Sequence, residues 1–356
     1  MSFSARFPDC RRSNVPRTEI RQLPTDLLKN DDRTRDRMMK ESNSSPRISV
    51  IMPVYNAAGF VTEAIESALN QEGVDLELVI VDDQSSDNTV EVVTGISDQD
   101  SRVRVIQLSK NQGPAAARNA AIDAARGEWI ALLDADDLYE PGRLSELLTI
   151  AEAEGLDFIA DNQLFYDAQA RQVTRTAFPL DAAKSRWDLD AHLQQELKGW
   201  GNGFTSGLLK PMFRADFVKE RKIRYNTEFR FAEDFLFYSE IIANGARGML
   251  IPDAFYRYTL PYGTTSGLNS GTSKTGDKMF QAINVYNIFE KKYKEKLTIN
   301  QKDTISKIKN KASREISLIL MRKYYKSRDY KGAIFLAISN PGVIVTAISQ
   351  KIKQRA

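Results

Sequence analysis

The chain has 356 residues, 42% of them hydrophobic, with 50 Lys+Arg against 47 Asp+Glu, one cysteine and one histidine. That length is about twice the ~100–200 residues typical of one domain, and the apolar content excludes whole-chain disorder. Cys10 and His192, each alone of its kind, exclude an internal disulfide, a Cys/His zinc site and any chemistry that needs two histidines.

In chain order, residues 1–45 are polar, carry a net charge of +3 and lack the apolar run of a secretory signal. The breaker cluster Ser42-Asn43-Ser44-Ser45-Pro46 reads as a linker into the first ordered element. Ile48 to Val54 reads as a buried strand, and residues 60–70, with Phe60, Ala64, Ile65, Ala68 and Leu69 on one face, as a helix. Leu76 to Val81 is the next strand, Asp87 to Thr94 a helix, Val103 to Leu108 a strand, Ala115 to Ala125 a helix and Trp129 to Leu133 a strand. Strands alternating with helices of this length indicate βαβ units and a mainly parallel sheet.

From about residue 156 the pattern loosens into apolar runs at Leu156 to Ala160 and Ser206 to Leu209 and a Pro/Gly-interrupted stretch at 252–267, read as mixed strands and long loops forming a second binding surface. From about 278 to 338 it turns helical, with Ile305, Ile308, Ile316, Ile319 and Leu320 among basic residues.

In open parallel sheets, ligands bind beyond the carboxyl ends of the strands. Three strand ends here carry polar groups: Tyr55-Asn56, Asp82 to Asp87, and Asp134-Ala135-Asp136-Asp137. Crowded carboxylates raise one another's pKa, a conflict that a hard divalent cation removes. Asp134 and Asp136, two apart, can present oxygens to one such ion; the alternative is a solvated loop in which Asp137 caps a helix.

Pro53-Val54-Tyr55-Asn56, Val79 to Asp87, Asn111 to Asn119 and Asp134 to Asp137 occur in this order at spacings that resemble the family 2 glycosyltransferases of the GT-A fold. The resemblance covers roughly residues 46–265. It implies an α/β, Rossmann-like GT-A fold, with a mainly parallel central sheet flanked by helices and a C-terminal helical basic appendage. The implied domains are an N-terminal extension (1–45), a catalytic domain (46–275, nucleotide-sugar half 46–140, acceptor half 141–275) and a C-terminal region (276–356).

The resemblance further implies a nucleotide-sugar donor, Mg²⁺ or Mn²⁺, and inverting transfer. Val54 and Tyr55 then line the nucleobase pocket, and Asp83 accepts a hydrogen bond from the pyrimidine edge. Asp134 and Asp136 hold ribose and metal, with Asp136 the direct metal ligand. Arg118, one turn into the helix that Gly113-Pro114 opens, reaches the diphosphate, braces an aspartate of the crevice, or lies on the surface. Glu233-Asp234, inside the aromatic run Phe229 to Phe237, matches the family's acidic pair, and Asp234 takes the place of the catalytic base. Arg257 and Ser266, on a segment read as a mobile loop after the base, would contact the diphosphate; that segment has no histidine to complete a metal shell.

Trp200, in a glycine-rich stretch, is either an acceptor platform or a loop anchor. His192 reads as an exposed helix residue. Residues 46–290 carry a net charge of −13 and residues 291–356 one of +13. A tail that mixes cations with aromatic and apolar groups suits an anionic membrane surface, or a helical appendage or oligomer contact, better than nucleic acid, which the acidic body repels.

The reading is a cytoplasmic enzyme, peripheral on the inner face of the membrane. It moves a sugar from a UDP-sugar to a lipid-linked saccharide in bacterial exopolysaccharide or surface-glycan assembly. The alternatives are a dTDP- or GDP-sugar donor, or an inactive GT-A-fold binding module.

Overall fold

The computed structural model describes residues 45–179, 183–200, 204–260 and 281–326. Nearly all of the N-terminal extension, Ser266 with its loop, and the tail beyond Lys326 lie outside the described residues.

The first half alternates as its periodicity requires: β1 (Ile48–Val54), α1 (Val61–Leu69), β2 (Leu76–Asp82), α2 (Thr89–Ser97), β3 (Val103–Gln107), α3 (Pro114–Ala124) and β4 (Trp129–Leu132). There follow β5 (Leu138–Tyr139), α4 (Arg143–Ala153), β6 (Phe158–Asp167), β7 (Gln172–Thr176), β8 (Ser185–Arg186) and α5 (Leu189–Gly199). The chain continues through β9 (Met212–Arg214), α6 (Ala215–Glu220), α7 (Glu233–Ala243), β10 (Gly248–Leu260), α8 (Gln281–Lys292) and α9 (Ile299–Lys326).

Among the described residues these strands form one sheet in the order β3-β2-β1-β4-β9-β6-β10-β5, with β7 on β6 and β8 on β10. The pairings β3-β2, β2-β1 and β1-β4 are parallel, whereas β9 runs antiparallel to both β4 and β6. The order reverses at β1, so the crevice outside the carboxyl ends of β1 and β4 is the topological switch point where such sheets bind ligands.

β1 and β2 are predominantly apolar and buried on both faces because helices cover both, Ser49 and Glu77 being buried with a hydrogen bond between them. Alternation sends Val50, Met52, Leu78 and Ile80 to the face under α1 and α4, and Ile51, Val79, Val81 and Ile130 to the face under α3 and α7.

The 252–260 stretch corrects the reading from its proline. It belongs to the thirteen-residue strand β10, parallel to β6, with register shifts between Leu250, Ala254 and Tyr256. Pro252 lacks an N–H, and the irregularity passes it without breaking the ladder beyond.

α8 and α9 pack on α5 and α7 through an apolar cluster that includes Leu193, Phe235, Leu236, Tyr286, Phe289, Ile305 and Ile316. Some of the region's positive charge is met inside the fold: Lys292 pairs with Glu240 and Lys309 with Glu290, both at 2.7 Å, and Lys311 Nζ donates to the Leu197 carbonyl at 2.8 Å. No helix of the described residues is long and apolar enough to cross a membrane.

Candidate active site

The strand ends converge. Register places Val54 beside Asp82, and the Asp83 amide donates to the Val54 carbonyl at 2.9 Å. Asn56 ties the two loops together: its amide donates to Ser85 Oγ at 2.9 Å and its Oδ1 accepts the Ser86 amide at 2.8 Å. Asn56 (φ 50°) and Gln84 (φ 62°) both take left-handed backbone here, strain of roughly 1–3 kcal/mol each that clusters at functional sites.

Among the described residues Tyr55 is one of few large apolar side chains left exposed, at 38%. Val54, in contrast, turns its side chain into the core beneath α1, so it borders the crevice through its backbone. Asp83 is buried, and its two oxygens accept the amides of Gln112 and Gly113, each at 2.7 Å. These bonds fix the loop before α3, which starts with Gly113 at φ 90° and Pro114 at the first helical position.

α3 then sends Arg118 under the crevice. It is buried, its Nη2 donates to Asp134 Oδ1 at 2.8 Å, and its Nη1 lies 3.4 Å from Glu233 Oε1 and 3.3 Å from Asp234 Oδ1. Of the roles open to Arg118, the structure displays the bracing one. Ala232, at φ 62°, opens α7 and turns Glu233 and Asp234 toward this arginine.

Lys210 completes the set and has no sequence signal beyond its type. Antiparallel pairing of Met212 with Ala131 carries the residues just before β9 to the end of β4. The buried Lys210 Nζ therefore lies 3.2 Å from Asp134 Oδ2 and 3.7 Å from Asp234 Oδ2. Its backbone carbonyl accepts from Arg143 Nη2 at 2.5 Å, and Arg143 in turn grips Asp161 at 2.7 and 3.0 Å.

The electrostatics follow. Burial raises the pKa of the Asp134 carboxyl, but Lys210 and Arg118 outweigh it and hold the group well below the usual range. Burial, then the charge of Asp134, pushes Asp136 up to about 6. Burial, then the charge of Asp234, pushes Glu233 up to about 7 against the pull of Arg118. Asp137 is raised further by burial and by Asp136 and Asp134. It caps no helix: its Oδ1 accepts the Thr259 amide at 2.8 Å and its Oδ2 the Tyr256 hydroxyl at 2.7 Å.

The donor set bears on a metal. Asp136 is half-buried and has no ion pair among the described residues, whereas both oxygens of Asp134 are engaged by cations. A hard cation held by Asp136 and donor phosphates fits this arrangement. A cage using both aspartates would first displace Arg118 or Lys210. Among the described residues no group of three His, Cys, Asp or Glu is arranged to hold a metal ion by itself.

Two further residues, Arg257 and His192, differ from expectation, and Trp200 takes one of its two alternatives. Arg257 lies on β10 rather than on a loop, its Nε donating to Glu140 Oε1 at 2.7 Å. Trp200 is a buried anchor, not an open platform, and donates from Nε1 to Tyr286 Oη at 2.8 Å. His192 is fully buried, stacked on Phe235 with Nε2 3.0 Å from Ser239 Oγ. The helical period that put it among polar neighbours could not show that α7 covers this face of α5.

A carboxylate crevice at the switch point, faced by a second acidic pair on α7, defines the class as a GT-A-fold protein. Residues 49–219 match the profile described as Glycosyl transferase family 2. It is 36% identical over 221 residues to the succinoglycan biosynthesis protein ExoO of Rhizobium meliloti (strain 1021), covering 62% of this chain and 63% of the relative. ExoU of the same organism is 35% identical over 223 residues, covering 62% of this chain and 64% of the relative. The chain thus spans less than two thirds of either relative's length. In fold it is similar to S. aureus TarS 1–349 in complex with UDP-GlcNAc, with a TM-score of 0.54 at 19% identity over 83% of this chain and 92% of the other. It is also similar to the Pyrobaculum calidifontis mannosyltransferase in complex with GDP-Man and Mn²⁺, with a TM-score of 0.53 at 19% identity over 87% and 81%.

Proposed function

We propose that this protein is an inverting glycosyltransferase that moves a sugar from a nucleotide-sugar to a saccharide acceptor in bacterial exopolysaccharide assembly. The observation that carries the proposal is the juxtaposition of Asp134, at the donor strand end, with Asp234, on the facing helix, across a shared pair of buried cations. The resemblance of the chain to succinoglycan biosynthesis proteins supports the acceptor class.

On this reading Tyr55 stacks on the nucleobase and Asp134 faces the ribose and diphosphate. Asp136 holds Mg²⁺ or Mn²⁺, which when bound would offset the charge of the departing diphosphate. Asp234 Oδ1, buried and without a hydrogen bond among the described residues, takes the proton of the acceptor hydroxyl. The acceptor oxygen forms a bond to the anomeric carbon as the bond from that carbon to the diphosphate oxygen breaks on the opposite side. General-base help of this kind supplies roughly 10²–10⁴-fold in rate.

The base of the donor is proposed as uracil, with guanine a second reading. Both Asp83 oxygens already accept backbone amides, so a hydrogen bond from the pyrimidine edge would use a remaining lone pair of a carboxylate that the loop before α3 holds in place. The lipid carrier of the acceptor rests on the charge of residues 291–356 alone, and flotation on anionic vesicles tests it.

The deciding experiment is nucleotide release from UDP-, GDP- and dTDP-sugars with Mn²⁺ or Mg²⁺, repeated in chelator and with Asp234→Asn. Transfer that Asp234→Asn abolishes, with donor binding intact, is expected. Donor binding without turnover in the wild type would instead mark a binding module.

A further inference from the structure

The four charged groups at the centre of the site form a closed ring. Asp134 gives Oδ1 to Arg118 and Oδ2 to Lys210; Asp234 gives Oδ1 to Arg118 and Oδ2 to Lys210. Each cation bridges the two carboxylates, and each carboxylate bridges the two cations. The distances are unequal: Asp134 is held at 2.8 and 3.2 Å, Asp234 at 3.3 and 3.7 Å. Asp134 is thus the fixed member and Asp234 the looser one, held in place but short of a hydrogen bond at Oδ1.

We propose that Lys210 is a positioning residue that sets the distance and orientation of the Asp234 carboxylate relative to the donor-side Asp134. This rests on the functional reading above, in which Asp234 is the base. Two features equip Lys210 for it. Its ammonium is buried, so its attraction to both carboxylates is weakly screened. Its backbone is pinned by Arg143, itself sealed between the rings of Tyr139 and Tyr256 and paired with Asp161, so the lysine is held at both ends. Arg118 cannot replace it, because Arg118 meets only the Oδ1 atoms and without Lys210 the Oδ2 atoms of both carboxylates lose their cation.

Tyr256 extends the same support. Its hydroxyl contacts Asp137 and accepts the Asp134 amide at 3.2 Å, so one tyrosine stacks near the arginine that anchors Lys210 and braces the loop that Lys210 contacts. The donor loop and the base are positioned from one buried unit.

The test uses the full chain with Lys210→Met, Lys210→Arg and Lys210→Met/Asp234→Asn. In Lys210→Met, donor KM and Kd should stay within about threefold while kcat falls about 10²-fold, the loss expected from a misplaced reacting group. Lys210→Arg should recover at least tenfold of that loss, since it restores the charge if not the length. In thermal melts Lys210→Met should fall below wild type, and adding Asp234→Asn should bring the Tm back up, because it removes one of two buried carboxylates then left to share the single cation Arg118.

Unchanged kcat in Lys210→Met overturns the proposal, as does weakened donor binding at full kcat, which would make Lys210 a donor ligand. Additive thermal losses in the double variant overturn it as well. If Lys210→Met does not fold, the kinetic arm passes to Lys210→Arg, with lowered kcat at constant KM expected, and the thermal arm to the double variant. If the wild type turns over no donor, the functional reading fails, while the melts, which need no substrate, still decide whether the ring exists.

Discussion

The hydroxyl of Tyr256 donates to Asp137 Oδ2 at 2.7 Å, joining the middle of β10 to the acidic strand end 119 residues earlier. The Thr259 amide holds the other oxygen at 2.8 Å. Asp137 is therefore the buried peg on which the Asp134-Asp136 loop is mounted, and it leaves the other two aspartates to face the crevice.

Replacing Tyr256 by Phe removes that donor and leaves a buried carboxylate oxygen unpaired. The expected loss is about 1–3 kcal/mol, seen in denaturant unfolding. Donor affinity should fall with it, because Asp134 loses the hydroxyl that accepts its amide.

Asp83→Asn places an amide NH₂ against a backbone N–H, since both Asp83 oxygens accept from the loop before α3. Stability should drop by about 1–3 kcal/mol even without nucleotide. A melt unchanged in the absence of nucleotide, with only donor binding lost, would show Asp83 reading the nucleobase instead.

His192 makes stability depend on pH. Burial holds its pKa down to about 3, below the ~6.5 of an unfolded chain. Between those values the unfolded chain binds the proton and the folded chain does not. Stability is thus full above about pH 6.5 and declines as pH falls, at up to about 1.4 kcal/mol per unit. Tm measured from pH 7 to 4.5 should fall less steeply in His192→Gln than in wild type.

Tyr286 carries a hydroxyl that donates to Glu196 Oε1 at 2.6 Å and accepts from Trp200 Nε1 at 2.8 Å. Glu196 Oε2 in turn accepts from the Ser206 amide and hydroxyl, across the glycine-rich stretch. Tyr286→Phe should destabilise by on the order of 3 kcal/mol, leaving two buried polar atoms unpaired. Equilibrium unfolding checks this, and an unchanged midpoint would show that α8 contributes no polar anchor to this region.

The strands and helices from Ile48 to Leu132 were legible because short apolar runs and period-3.6 faces are local properties, and the switch-point rule then places Tyr55, Asp83 and Asp134 at one edge. Composition alone excluded zinc and paired-histidine chemistry. The acidic pair Glu233-Asp234 was legible by resemblance.

What the tertiary structure decided is which groups pair. Lys210 stands in an apolar stretch without a motif, and only antiparallel pairing of β9 with β4 carries it to Asp134. His192 lies on α5 and Trp200 just past its end, and the local pattern does not reveal that α7 covers the first and α8 meets the second. Arg118 kept three roles open until α7 brought Asp234 within reach of its guanidinium. In each case the partners are distant in sequence, and the energy of a charge depends on what faces it in a low-dielectric interior, a property that no local pattern encodes.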